Sequence, residues 1–280
     1  MPFVTTSPDA ATGETIDLCY EDSGSGPTVV LIHGWPLSQE MWEYQTVALV
    51  QAGLRVVTYD RRGFGRSGKP WRGYDYDVFA DDLKAVLDAL DLHDVTLVGF
   101  SMGGGEVARY MSRHGGARVA RAALVGAVTP YLLQTDDNPD GVERGVFDGM
   151  VEGLTADRPG FLAEFGKAFY GVGPLSHPVS AAWLDWTQRL ALAASPFATL
   201  ACVRAFSETD FRADLLAIRV PTLIVHGGGD ATVPPKASAE RTAAALPDAT
   251  YVRYDGAPHG LFATHRERLN GDLIAFARGG

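Results

Sequence analysis

The chain has 280 residues, 46% of them hydrophobic and 21% charged, an ordinary balance for a soluble globular protein at a length one α/β domain can reach. Its 34 acidic residues outnumber 24 basic ones for a formal charge of −10, a surface that repels nucleic-acid phosphates and anionic lipid heads and so argues against either partner. No apolar run reaches membrane-spanning length, and MPFVTTSPDA lacks the basic and apolar parts of a secretory signal, so a soluble, cytoplasmic protein with no membrane contact is expected.

Taken in chain order, Thr15 to Tyr20 alternates like a strand and carries Cys19, which with the distant Cys202 reads as one of two buried free thiols. Thr28–Ile32 is a nearly continuous β-branched run, 41–52 has helical spacing, and 54–59 is a second buried-type strand. Over 78–90, Val78, Phe79, Leu83, Val86, Leu87 and Leu90 share one side, with Asp81, Asp82, Lys84 and Asp88 opposite, the pattern of an amphipathic helix. Val95–Phe100 is a third buried-type strand, 105–111 a helix and 119–128 a fourth strand. From 129 to 217 no good strand occurs; aromatics and helix formers dominate instead. Strand signals resume at 220–225 and Thr250–Tyr254, and a helix begins near His265. Strands alternating with helices imply a mostly parallel, doubly wound sheet. The expected organisation is a core of 1–128 and 218–280 with a helical cap at 129–217.

Gly99-Phe100-Ser101-Met102-Gly103 lies between a strand and a helix, the context of a nucleophile elbow. Glycines suit that turn because it leaves no room for Cβ on either side of the serine. G-x-S-x-G also arises by chance, and the serine could simply cap a helix. A hydroxyl nucleophile, however, needs a base, and the base needs an orienting carboxylate. His226-Gly227-Gly228-Gly229-Asp230 and Asp255-Gly256-Ala257-Pro258-His259 follow the two later strands. They supply acid and base in the order serine, acid, histidine. Among other histidines, His33 and His226 read as loop-holding groups, and His265 is the serious competitor to His259. Asp255 shares the histidine's own loop, which leaves Asp230 as the acid. Ile32-His33-Gly34-Trp35-Pro36 follows the first strong strand. There the backbone N–H of Trp35, with that of Met102, could hold an oxyanion; Pro36 has no N–H and biases Trp35 towards extended backbone.

A competing motif is Gly63-Phe64-Gly65-Arg66-Ser67-Gly68-Lys69, which matches two glycine-rich phosphate-loop patterns. Pro70, Trp71 and Arg72 follow in place of a hydroxyl residue and a helix, so it reads as a glycine-rich loop beside the site.

The blocks HGWPLSQEMWEYQ (33–45), YDRRGFGRS (59–67), GFSMGGGEVARY (99–110), AFSETDFRADL (205–215), HGGGDATVP (226–234) and APHG (257–260) resemble the cofactor-free bacterial haloperoxidases, also called perhydrolases or aryl esterases, of the α/β-hydrolase fold. The resemblance runs nearly end to end. The stretch 7–13 is longer than usual, and Gly228 stands where relatives often have Asp. The resemblance implies hydrolysis of small esters through an acyl-enzyme on Ser101, with His259 as base, Asp230 as its orienter, and the Trp35 and Met102 amides around the oxyanion. It implies no metal or haem, because hydrogen peroxide can open the same acyl-enzyme to a peracid that oxidises halide in solution. A short carboxylic acid could then also be a substrate. Pro36 would favour peroxide over water if the Trp35 carbonyl turns inwards. Phe165 and Phe169 match pocket-lining positions, with Trp35, Pro36, Val128 and Leu261 completing the wall, although aromatics at helical spacing equally suit core packing. Relatives often form homo-oligomers. An amidase or γ-lactamase, or a carbon–carbon bond hydrolase, would use the same triad, and a non-catalytic ligand receptor could retain it.

Overall fold

The computed structural model describes residues 2–8 and 13–279; residues 9–12, most of the longer N-terminal stretch, lie outside the described residues. Eight strands, β1 (Phe3–Thr5), β2 (Asp17–Ser23), β3 (Thr28–Ile32), β4 (Arg55–Tyr59), β5 (Val95–Phe100), β6 (Val119–Val125), β7 (Thr222–Gly227) and β8 (Thr250–Tyr254), form one sheet in the order β1-β2-β4-β3-β5-β6-β7-β8. β1, β2 and β4 pair antiparallel, and every pairing from β4 to β8 is parallel. Parallel strands are covered on both faces, and all six residues of β5 and of β7 are buried.

The helices are α1 (Glu43–Gln51), α2 (Tyr76–Ala89), α3 (Met102–Arg113), α4 (Arg144–Phe169), α5 (Ala181–Leu192), α6 (Pro196–Glu208), α7 (Arg212–Leu215), α8 (Ala239–Ala245), α9 (Leu261–Thr264) and α10 (Arg266–Ala277). The chain runs from β3 outward to β4, then crosses back to β5 and continues the other way. Right-handed crossovers in opposite directions put α1 and α2 on opposite faces. Accordingly α1 packs on α10, and α2 packs on α3. The reversal opens a crevice between the carboxyl ends of β3 and β5, where such sheets bind ligands. Register makes those ends level: Ile32 faces Gly99, Phe100 faces Val125, Val125 faces Val225, and Gly227 faces Tyr254. The loops after β3, β5, β7 and β8 therefore emerge side by side.

Between β6 and β7 the chain is helical, as expected. α4 is broken at Asp157 (φ −152°, ψ 83°), two residues before Pro159. Proline inside a helix removes a hydrogen bond and crowds the preceding turn. The Asp157 carboxylate accepts from the Gly160 amide at 3.0 Å and so caps the second half. Among the described residues no single helix is long and apolar enough to cross a membrane. Cys19 and Cys202 are buried and unpaired.

Two elements differ from the expected ones. The fourth strand stops at Val125 and not 128, because Gly126 takes φ +54° and turns the chain. The antiparallel β1–β2 pair was not expected; β1 is too short for any periodicity to show. The last helix, α10, starts at Arg266 with His265 as its cap, where a helix was expected to begin.

Candidate active site

The nucleophile turn follows from close packing. Ser101 directly follows β5 and caps α3, with φ 54° and ψ −117°, a backbone region that costs an L-residue about 1–3 kcal/mol. Its amide donates to Val125 O at 2.8 Å, and its carbonyl accepts from the Gly104 amide at 2.9 Å, so both sides of the turn are fixed. A Cβ at Gly99 would lie 2.3 Å from Gly103 O, and one at Gly103 would lie 2.6 Å from Ile32 O. Only glycine permits this strand and helix to approach so closely.

His259 reaches the serine from the loop after β8. Its Nε2 lies 2.9 Å from Ser101 Oγ, and its Nδ1 lies 2.6 Å from Asp230 Oδ2. A carboxylate only accepts, so Nδ1 carries the ring proton and donates, leaving Nε2 to accept from the serine hydroxyl. Ser101, His259 and Asp230 are all buried. Asp230 Oδ1 takes two further bonds, from the amides of Thr232 (2.9 Å) and Val233 (2.8 Å). Burial alone would push the Asp230 carboxyl up. The facing His259, helped by a hydrogen bond from His226, overrides it and holds the group well below the usual carboxylate range. His226 Nε2 faces Val233 O at 2.9 Å and Asp230 Oδ2 at 3.2 Å; facing two acceptors, it is the protonated nitrogen. The rings of Phe100 and Phe169 flank His259 at 4.9 and 4.8 Å.

The loop after β3 packs directly on the elbow: a Cβ at Gly34 would lie 2.7 Å from the Phe100 ring and 3.0 Å from Ser101 Cβ. Among the described residues, neither the Trp35 nor the Met102 amide donates to a protein acceptor. Trp35 is fixed through its indole, whose Nε1–H donates to Thr199 O at 3.1 Å, and the Trp35–Pro36 peptide is cis.

A cavity of about 160 Å³ opens onto Ser101 and His259. Its wall is apolar and includes Trp35, Val128, Leu132, Phe147, Phe165 and Phe206. A neighbouring apolar cavity of about 150 Å³ has Pro36, Phe165 and Phe169 in its wall.

Residues 27–266 match the family described as the alpha/beta hydrolase fold. The chain is 44% identical to a putative non-heme chloroperoxidase of Synechocystis sp., over 99% of both chains. It is 39% identical to a bifunctional esterase/perhydrolase of Acinetobacter calcoaceticus, over 99% of this chain and all of that one. The crystal structure of a bromoperoxidase from Bacillus anthracis superposes with a TM-score of 0.93 at 47% identity, covering 99% of this chain and 100% of that one.

The chain belongs to the alpha/beta hydrolase fold family.

Of the residues expected at the site of this alpha/beta hydrolase, the structure brings Ser101, His259, Trp35, Val128 and Phe165 together at one cavity, with Asp230 behind His259 and bonded to it. Met102, at the start of α3, adjoins the serine. Pro36 lies on the neighbouring cavity. Phe169 does too, with its ring perpendicular to that of His259. Leu261 requires correction. It is fully buried at the start of α9 and lines neither cavity, because the chain turns into the core directly after His259. The rivals fall away from the serine: Asp255 is exposed beside Arg253, and His265 bonds Thr264 and packs near Tyr254. Leu132, Phe147 and Phe206 were not anticipated in the wall, since an apolar residue on a helix gives the same signal whether it meets a cavity or the core. The contact of His226 with Asp230 was also missed; the four-residue spacing of the two across a tight turn was the available signal.

Proposed function

We propose that this protein is a serine hydrolase that cleaves small carboxylic esters through an acyl-enzyme and passes the acyl group to water or to hydrogen peroxide. The carrying observation is the unbroken line from Asp230 through His259 to Ser101 Oγ, opening onto an apolar cavity. Ser101 Oγ attacks the ester carbonyl carbon as His259 Nε2 takes its proton. Asp230 holds the ring with Nδ1–H aimed at its carboxylate and stabilises the cation formed. The new oxyanion points to the free amides of Trp35 and Met102. Collapse breaks the bond to the alcohol oxygen, which leaves with the proton from His259. Water, or hydrogen peroxide, then gives a proton to His259 and attacks the acyl carbon. Breaking the Ser101 ester returns that proton to Oγ and releases the acid or the peracid. An acid entering by the reverse of the water step gives the same acyl-enzyme, so a short carboxylic acid with peroxide also yields peracid.

The cavity's size favours short acyl groups. In this reading residues 129–217 form the cap that closes the acyl pocket, over a core of 1–128 and 218–280, and the protein works in the cytoplasm. Parallel assays on p-nitrophenyl acetate, on a γ-lactam, and on peroxide-dependent halogenation with acetate test the reading. Ester turnover together with acetate-dependent halogenation is expected. Turnover of the lactam with neither of the others would replace it with an amidase.

A further inference from the structure

Two buried ion pairs sit side by side in the loop after β4, and they differ in what they hold. Arg62 makes a two-pronged pair with Asp82 of α2, Nε to Oδ2 at 2.6 Å and Nη2 to Oδ1 at 2.7 Å. Arg61 is wholly buried and pairs with Glu106 of α3, also wholly buried, Nε to Oε2 at 2.6 Å. The Arg61 guanidinium also donates from Nη2 to the carbonyl of His33 at 2.9 Å, and its backbone amide donates to His33 Nε2 at 2.9 Å. Tyr59 donates its hydroxyl to Glu106. Charges this deep are costly unless they are paired; within the cluster Arg61 Nη1 has no hydrogen-bond partner.

The positions of these groups matter more than their number. Glu106 lies four residues after Met102 on α3, one helical turn along the same face. His33 immediately precedes Gly34 and Trp35. We propose that Arg61 and Glu106 are positioning residues that set the separation of the two oxyanion donors, by tying the helix that carries the Met102 amide to the loop that carries the Trp35 amide. This rests on the hydrolase reading of Ser101. Burial and the adjacent Arg61 charge hold His33 well below its ordinary value, so its ring stays neutral and Nε2 remains free to accept from Arg61. The Arg62–Asp82 pair anchors α2, an element that carries neither donor amide, which makes it a built-in control of similar chemistry.

The experiment compares Glu106→Gln, Tyr59→Phe and Asp82→Asn on p-nitrophenyl acetate, with active sites counted by a fluorophosphonate label on Ser101. For Glu106→Gln, kcat per labelled site falls about tenfold to a hundredfold, since one oxyanion donor or a misplacement of about 1 Å is worth that much or more. KM stays within about twofold, because ground-state binding does not use these donors. Inhibition by a trifluoromethyl ketone, whose serine adduct carries an oxyanion, weakens by the factor lost in kcat/KM. Tyr59→Phe loses roughly threefold in kcat with KM unchanged, as suits one hydrogen bond, and it decides the matter if Glu106→Gln yields no folded protein. Asp82→Asn lowers thermal stability but leaves kcat per site within about twofold. Labelled Ser101 with kcat of the other two variants matching Asp82→Asn, or a loss confined to KM, overturns the clamp alone. Wild-type protein that turns the ester over without labelling at Ser101 overturns the clamp and the hydrolase reading together.

Discussion

The cavity at Ser101 has two unlike sides. On one, the triad is held by directional bonds: Asp230 accepts from Thr232, Val233, His226 and His259, and the backbones at Gly34, Gly99 and Gly103 approach too closely for a Cβ. On the other, Leu132, Val142, Val146, Met150, Phe165 and Phe206 offer only apolar surface, and Val146 is 54% exposed. A side held by directional bonds has one working geometry, whereas an apolar wall can change shape and still exclude water. The first side should therefore set whether the reaction runs, and the second which acyl group it runs on.

Breaking the polar side should give the largest effects. Ser101→Ala is expected to lower kcat on p-nitrophenyl acetate by several orders of magnitude, with circular dichroism unchanged. Asp230→Asn keeps the shape but removes the acceptor that fixes the His259 tautomer, and kcat should fall by about 10⁴-fold. Near-normal turnover in either variant would mean that the polar side does not carry the chemistry. The depressed Asp230 carboxyl also fixes the sign of the acid response. Its contribution to stability is present above its ordinary value and is lost only as pH falls through its lowered native value. Asp230 thus stays ionised in mild acid, so log kcat/KM should fall with a slope of one while the protein remains folded. A slope of two would show that both carboxylate and base protonate there.

Changes on the apolar side should redistribute substrates. Phe165 faces both cavities. Phe165→Ala should raise the ratio of kcat/KM for hexanoate over acetate esters by about tenfold, since a methylene in an apolar pocket is worth roughly 1–3 kcal/mol. An unchanged ratio would make Phe165 a packing residue only. The smallest change is expected from Pro36→Leu, which should shift the partition of acyl-enzyme between peroxide and water with ester kcat nearly intact. An unchanged partition would remove Pro36 from that choice.

The same division explains what could be read from sequence. Ser101, Asp230 and His259 were legible because each lies at the start of the loop after a strand of a parallel sheet, and level strand ends turn that order into proximity. Gly99 and Gly103 were legible because the crossing they permit admits no other residue. The pocket was not. Leu261 and Phe165 give the same apolar signal, yet one turns into the core after His259 and the other faces Ser101 across the cavity. Which face α4 presents depends on its break at Asp157, which shifts the helical phase midway. Arg61 and Glu106 lay hidden for a different reason. A charged residue usually signals surface, and only the pairing of β3 with β4 brings Arg61 under the His33 loop.

The central claim, that Ser101 carries the acyl group, is tested most directly by mapping the intermediate. Mixing the enzyme with p-nitrophenyl acetate, quenching in acid during the first turnovers and sequencing the peptides by mass spectrometry should find one acetyl group, on Ser101, that forms no slower than kcat. Turnover at full rate with no such adduct, or with the acetyl group on another residue, would contradict the account.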